Sequence, residues 1–404
     1  MSMPLEGIRV IEWGQMQQTP FATQLLGDYG AEVIKLEDRI TGDAARGLMK
    51  IIGVATATGT RNYYFECNNR NKKSITIDIT KEKGRRIVYD LVAKSDVFMQ
   101  NFRVGAAERA KLDYATLSGY NPRLIYVNTT GIGPKGPEAQ SPILDPIGQA
   151  RSGFMASAGE PHMPPVQAHF GLADQIGAVM GFASVLMALL ARERLGVGQE
   201  VNTSLLAGMM TLLNLSVSSR LFVGKPIPRM TRSAAGNPLF NFYRCADDKW
   251  IQLAMLQSDR HWAAFCQVMG IGQLAEDPRF KDHNIRGQNS KALITILDEL
   301  FATKTRQEWL GILAQNKDFI FGPVNDVNDL VNDPQVAAND YIIDYDHPVF
   351  GKTKMNGFPF ELTRTPASVR REPPEFGQHT EEVLTETLGY SWEEVVKLKE
   401  EKVI

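Results

Sequence analysis

The sequence predicts an α/β protein: a large domain built on a parallel, doubly wound sheet, followed by a smaller α+β domain. Two observations carry this. Apolar runs of strand length alternate with helix-length amphipathic segments through the first 130 or so residues, a pattern that places helices on both faces of a parallel sheet. A stretch rich in Pro, Gly and basic residues, 224–240, then interrupts the alternation and reads as a linker.

The elements run in this order. "GIRVIEWG" (7–14) reads as a strand, and "TPFATQLLGDYG" (19–30) as a helix stopped by Gly30. "AEVIKLED" (31–38) and "KSITIDIT" (73–80) are strands, followed by a helix from Lys81 to Ala93 and the strand "DVFMQNF" (96–102). A short helix near Asp113 and the strand "RLIYVNTTG" (123–131) close the series. Helices are expected from about Asp174 to Leu195 and from about Asn202 to Val217. Beyond the linker, "FYRC" and "WIQLA" form a hairpin around Ala246–Lys249, with helices to about Gln315. From residue 321 the chain is again extended and turn-rich and ends in a short helix, where Ser391 and Glu394 fit a capping box. The expected domains are therefore 1–223, the linker 224–240, a small domain 241–320, and a return segment 321–404 that packs on the large domain.

Composition narrows the function. The 404 residues carry a formal net charge of −2, which gives no bulk attraction to nucleic acid or to an anionic membrane. Three unpaired-looking cysteines and six histidines without metal spacing suit a reducing compartment and argue against disulfide or zinc frameworks. The N-terminus lacks signal-peptide features, and the most apolar run, 176–191, contains Gly177, Gly181 and Ser184 and is short for a membrane span. A cytoplasmic protein without membrane or nucleic-acid partners is expected.

One motif is a decoy. Gly131, Gly133 and Gly136 satisfy G-x-G-x-x-G after a strand, but Pro134 and Pro137 prevent the helix that a dinucleotide fingerprint requires. More informative is the recurrence of polar residues at successive strand ends, where open α/β sheets bind ligands. These are Gln15 and Gln17, Asp38 and Arg39, Asn101, Phe102 and Arg103, and Thr129 and Thr130, with Lys72, Lys73 and Arg109 nearby. Amides, an aromatic and scattered cations suit a phosphorylated, nucleotide-like ligand. Asp174 stands alone at the head of a helix that is uncharged until Arg192. It is read either as an N-cap or as a poorly hydrated nucleophile, and composition does not choose.

The opening "MPLEGIRVIEWGQMQQTPFATQLLGDYGAEVIKLEDRITGD" resembles that of the class III CoA-transferase family, which includes formyl-CoA and carnitine CoA-transferases and α-methylacyl-CoA racemases. "NRNKKSITIDIT", "NPRLIYVNTTGIGPKGP", "ARERLGVGQEVNTSLL", "GPVNDVNDLVNDPQV" and "GQHTEEVL" extend the resemblance over nearly the whole chain. It implies a Rossmann-like large domain, an interlocked dimer (with itself or with a paralogous subunit), and CoA or acyl-CoA as substrate with no tightly bound cofactor or metal. By the resemblance Asp174 is the catalytic aspartate and Gln17 supplies amide donors to the oxyanions. Gln17, Arg39, Lys73, Asn101, Phe102, Arg103 and Arg109 are the expected CoA-binding residues. The implied reaction moves CoA from an acyl-CoA to a carboxylic acid through an aspartyl-acyl anhydride and an aspartyl-CoA thioester.

Two departures refine this. Racemases carry a His where this chain has Leu144, just before Asp145, so a second proton-transfer base is missing. Formyl-CoA transferases carry a glycine run where "SAAGNPLFN" (233–241) has only Gly236, which favours a larger acyl group. The overall likeness, carried by no single motif, points to succinyl-CoA as donor and an aromatic or dicarboxylic acceptor such as benzylsuccinate. The competing readings are an acyl-CoA racemase and a partner-dependent, non-catalytic subunit.

Overall fold

A computed structural model describes residues 2–51, 53–58 and 61–404. The chain forms two compact units, one of Met1–Ala156, Gln167–Pro226 and Asp340–Ile404, the other of Ser157–Val166 and Ile227–Asn339.

The first unit is organised by a six-stranded, fully parallel sheet: β1 (Arg9–Trp13), β2 (Glu32–Glu37), β3 (Lys72–Thr76), β4 (Val97–Gln100), β5 (Ile125–Thr130) and β6 (Gln199–Ser204). Their spatial order is β6-β5-β4-β1-β2-β3. The central strands are buried almost throughout, as expected where helices cover both faces. The chain winds outward from β1 in one direction through β2 and β3, then returns to the other side of β1 with β4. The order therefore reverses between β1 and β4, and a crevice opens there beyond the carboxyl ends of the strands.

The structure corrects two expectations. Gln199–Ser204 is an edge strand paired with β5, not part of a helix starting near Asn202. Its alternating exposure suits an edge, and the helix begins only at Leu205, where the Ser204 hydroxyl accepts from the Ala207 N–H at 3.0 Å. The return segment, expected to be extended and turn-rich, also holds a hairpin, Ile342–His347 paired with Gly351–Asn356. The Gly131–Gly136 stretch opens no helix.

The helices that bear on the crevice are α1 (Gln18–Asp28), α2 (Asp145–Arg151), α3 (Leu172–Leu195), α4 (Leu205–Leu212) and α5 (Asn214–Val223). By length and composition α3 could cross a membrane, but it packs on α1, α4, β5 and β6. Small residues make that approach possible. A Cβ on Gly181 would lie 2.6 Å from Met99 Cε, and one on Gly177 2.6 Å from Gln18 Nε2. The C-terminal helix, Trp392–Glu400, begins with the expected capping box and sets Val395 and Leu398 into a core with Ile77, Val88 and Leu91.

The second unit, by itself, holds a three-stranded antiparallel sheet, Phe242–Arg244, Trp250–Leu253 and Phe321–Val324. Helices Ser258–Val268, Ser290–Phe301 and Arg306–Leu313 contribute Trp262, Phe265, Phe301 and Trp309 to its core.

Inside the parallel sheet lies a chain of ion pairs. Glu12 on β1 faces Lys35 on β2 in register and binds Lys35 at 2.5 Å and Lys72 at 2.7 Å. Lys35 also binds Asp43 at 2.7 Å. The Glu12, Lys35 and Lys72 side chains have no exposed surface. Burial pushes the Glu12 pKa up, but the two ammonium groups outweigh it and hold the carboxyl at about 2. Burial also pulls the Lys72 ammonium down to about 8, against the attraction of Glu12. Breaking such a pair leaves uncompensated charge in the interior. Glu12→Gln should therefore lose about 3–5 kcal/mol of stability, read as a lower denaturant midpoint of the sheet-containing unit.

Candidate active site

The chain leaves β1 through Gly14, Gln15, Met16 and Gln17, directly over the crevice. Met16 adopts φ +65°, a left-handed conformation that is costly for a side-chain-bearing residue. Two partners hold it. The Met16 N–H donates to Asp43 Oδ1 at 2.9 Å, the end of the buried ion-pair chain. Asn101, just past β4, clamps the neighbouring Gln15: its Oδ1 accepts from the Gln15 N–H at 3.0 Å and its Nδ2 donates to the Gln15 carbonyl at 2.9 Å.

This loop delivers Gln17 to the head of α3. Gly171, with φ +85°, ends the preceding loop, and a Cβ there would lie 2.5 Å from Gln17 Oε1; only glycine fits. Tyr64 donates to the same Oε1 at 3.4 Å. It sits on the single turn Tyr63–Glu66, which Asn62 caps through the Tyr64 N–H. Burial, with Asp174 as the next contributor, raises the Tyr64 phenol pKa. Tyr64 was not among the candidates from sequence. The one local signal was Asn62 as a cap before two tyrosines.

Asp174 is the third residue of α3, half-buried, and its side chain makes no capping bond. The N-cap reading is therefore wrong for this residue, because the helix begins at Leu172 and a different carboxylate takes the role. Asp145, the buried first residue of α2, accepts the Ala173 N–H at 2.6 Å and the Asp174 N–H at 3.3 Å on Oδ1. Its Oδ2 accepts from Gln149 Nε2 at 2.8 Å. With the helix N–H groups already taken, burial dominates at Asp174, the Asp145 charge adds to it, and the pKa rises from 3.8 to about 7.

The other expected residues are spread along the strand ends. Phe102 packs on Trp13 with ring centroids 4.3 Å apart, and both line a cavity of about 250 Å³ with Gly14, Gln15, Asp38 and Gly42. Arg39 follows β2, and its buried Nε has no hydrogen-bond partner among the described residues. Arg103 and Arg109 are exposed, and Arg109 reaches back over Gly105. Lys73 is not brought to this group. It lies near the start of β3, opposite Ile34, and is paired with Glu32 and Glu382, each at 2.9 Å. Lys72 is locked in the buried ion-pair chain. Thr129 bonds Thr19, and Thr130 bonds the Thr203 carbonyl; both hold elements together.

A partly buried carboxylate beside an amide and a phenol, next to a crevice with an unpaired guanidinium nitrogen, is a setting for acyl chemistry on a phosphorylated carrier. Residues 5–380 match CoA-transferase family III. The chain belongs to this family. It is 35% identical over 405 residues to an acyl-CoA transferase of Fusarium pseudograminearum, covering 99% of this chain and 88% of that one. It is 30% identical to the succinyl-CoA:glutarate CoA-transferase of Mus musculus, covering 98% of this chain and 89% of that one. A CAIB/BAIF family protein from Brucella suis shares the fold with a TM-score of 0.84 at 30% identity, over 96% of this chain and 100% of the other. The protein is a class III CoA-transferase, with acyl-CoA as its substrate.

The raised pKa of Asp174 has a consequence for stability. A carboxyl that binds its proton more tightly when folded contributes stability that is complete below the unfolded pKa, near 3.8, and lost as pH rises through about 7. Asp174→Asn removes that liability. Its thermal midpoint should exceed the parent's by an amount that grows between pH 4 and pH 7 and is constant above, as measured by calorimetry of the free protein.

Proposed function

We propose that this CoA-transferase takes CoA from succinyl-CoA and passes it to a dicarboxylic or aromatic acid, of which benzylsuccinate is one example, with Asp174 as covalent nucleophile. The observation that carries the reading is the Asp174 carboxylate itself. It is half-buried, free of capping duty, and near Tyr64, whose hydroxyl donates to Gln17. The mouse relative, named for succinyl-CoA and glutarate, supports a dicarboxylic pair.

In this reading an Asp174 oxygen attacks the thioester carbonyl, the C–S bond breaks, and CoA leaves as thiolate, giving a mixed anhydride. The thiolate then attacks the aspartyl carbonyl and expels the donor acid as its carboxylate, leaving an aspartyl-CoA thioester. The acceptor carboxylate attacks that carbonyl and releases the thiolate again. Attack of the thiolate on the acceptor's acyl carbon regenerates Asp174. Each step exchanges one good leaving group for another, the advantage of covalent catalysis. Gln17 and Tyr64 would donate to the oxyanions as they form.

The cavity beside Trp13 and Phe102 suits the adenosine end of CoA, with Arg39, Arg103 and Arg109 toward its phosphates. Leu144 is 73% exposed and has no proton to exchange, which weighs against racemisation. Within α3 and α5, Met187, Leu215, Leu221 and Phe222 are exposed. Exposed apolar side chains of this kind support an interlocked dimer, with a second copy or a paralogous subunit, since large exposed apolar patches mark association.

Four outcomes test the reading. Incubated with acyl-CoA donors and carboxylic acids, the protein should produce new CoA esters detectable by mass spectrometry. Hydroxylamine added with donor should convert Asp174 to a hydroxamate. Asp174→Asn should lose turnover by several orders of magnitude, and a hydroxamate on another carboxylate would refute the assignment. Arg39→Ala and Arg109→Ala should raise KM for acyl-CoA with little change in kcat, the signature of lost uniform binding.

A further inference from the structure

Asp145 is the second carboxylate at the head of α3, and the transfer steps do not use it. Its seat is specific. A helix offers free N–H groups in its first turn, and these are the natural place for an anion. In α3 the Leu172 N–H goes to the His169 carbonyl, and the Ala173 and Asp174 N–H groups both go to Asp145 Oδ1. Gln149 fixes the other oxygen and is itself tied to the Ala168 N–H and the His169 carbonyl. Asp145 is thus a buried anion held from three sides, occupying the site that the helix would otherwise offer to Asp174.

We propose that Asp145 is a positioning residue for the transfer reaction: by taking the anion site of the helix it denies that stabilisation to Asp174 and favours the uncharged, acylated forms of Asp174. The inference rests on the reading of Asp174 as nucleophile. Acylation forms a C–O bond to Asp174, breaks the thioester C–S bond and moves the negative charge to the departing thiolate. The repulsion between the two carboxylates is therefore relieved as the bond forms.

The groups facing Asp174 are consistent with this. Asp145 comes from α2, the neutral Gln17 from the start of α1, and Tyr64, an uncharged phenol, from the turn 63–66. His169, on the loop before α3, is exposed and turns its Nδ1 to the Phe170 carbonyl. Burial comes first and Asp145 second among the influences on Asp174, and no Lys or Arg among the described residues offsets them.

Charge can be separated from capping. Asp145→Asn and Asp145→Ser both keep an oxygen that can accept the helix N–H groups and remove the charge; Ser serves if Asn disturbs Gln149. The titration of Asp174 is read without turnover, as the infrared carboxyl difference between each protein and its Asp174→Asn counterpart from pH 5 to 9. The midpoint should fall by roughly one pH unit, and hydroxamate formation at pH 9, where Asp174 is ionised in all the proteins, should slow. A midpoint unmoved in both variants, with hydroxamate still formed by the parent, overturns the inference alone. A parent that forms no hydroxamate on Asp174 overturns the nucleophile reading, whatever the midpoint does, and this use of Asp145 falls with it.

Discussion

The arrangement of the site depends on one buried electrostatic constraint, the chain Lys72–Glu12–Lys35–Asp43 running across the first three strands. Charges without water must find their partners inside the protein, and the pairing fixes geometry because any slip leaves one of them alone. Here the constraint ends on a backbone. Asp43 takes the Met16 N–H and so holds a left-handed residue that the loop would not adopt unaided. From Met16 the chain turns at once to Gln17 and the head of α3. The strain at Met16 is thus offset by ion pairs three strands deep, and the Gln17 amide follows directly on the residue so anchored.

The same economy of charge governs α3. A long helix with no ionised side chain between Asp174 and Arg192 packs closely on α1 and on the sheet because glycines and alanines line its inner face. Close packing excludes water from the helix head and leaves Asp174 poorly solvated. A surface aspartate in the first turn would be stabilised by the helix dipole. Asp174 is not, because Asp145 already holds the dipole's positive end.

How much of this the sequence revealed depends on the range of the interactions. Strand and helix order in the large domain was legible because apolar periodicity is local, and the resemblance to the CoA-transferases agrees with the family match over residues 5–380. Asp174 stood out because a lone charge in an apolar helix is visible in one dimension. What failed were features set by partners far along the chain. Gln199–Ser204 is a strand because β5 pairs with it, which its polar sequence does not announce. Lys73 looked like a ligand-binding cation, but Glu382 lies more than 300 positions away and takes it as an ion-pair partner. Tyr64 and the capping role of Asp145 depend on loops meeting in space. Charged residues inside strands, such as Glu12 and Lys35, were the overlooked signal, since an acid and a base at matching positions of adjacent central strands can satisfy each other in the interior.

These separate devices divide the labour of a transferase. Groups suited to the carrier sit at the strand ends and are exposed or carry unpaired nitrogens, as at Arg39, Arg103 and Arg109. Groups suited to the chemistry are enclosed and held by neutral or buried partners. The division is physically apt for a reaction whose two substrates share one carrier. Contacts to the carrier are the same for donor and product, so they contribute uniform binding and cannot favour either direction. Discrimination between the two acids, and the lowering of the barrier, must come from the enclosed side, where, in the proposed mechanism, the charge on Asp174 is lost once on acylation and regained once on release. There a fixed neighbouring carboxylate has its largest effect, because the low effective dielectric lets one charge be felt by another.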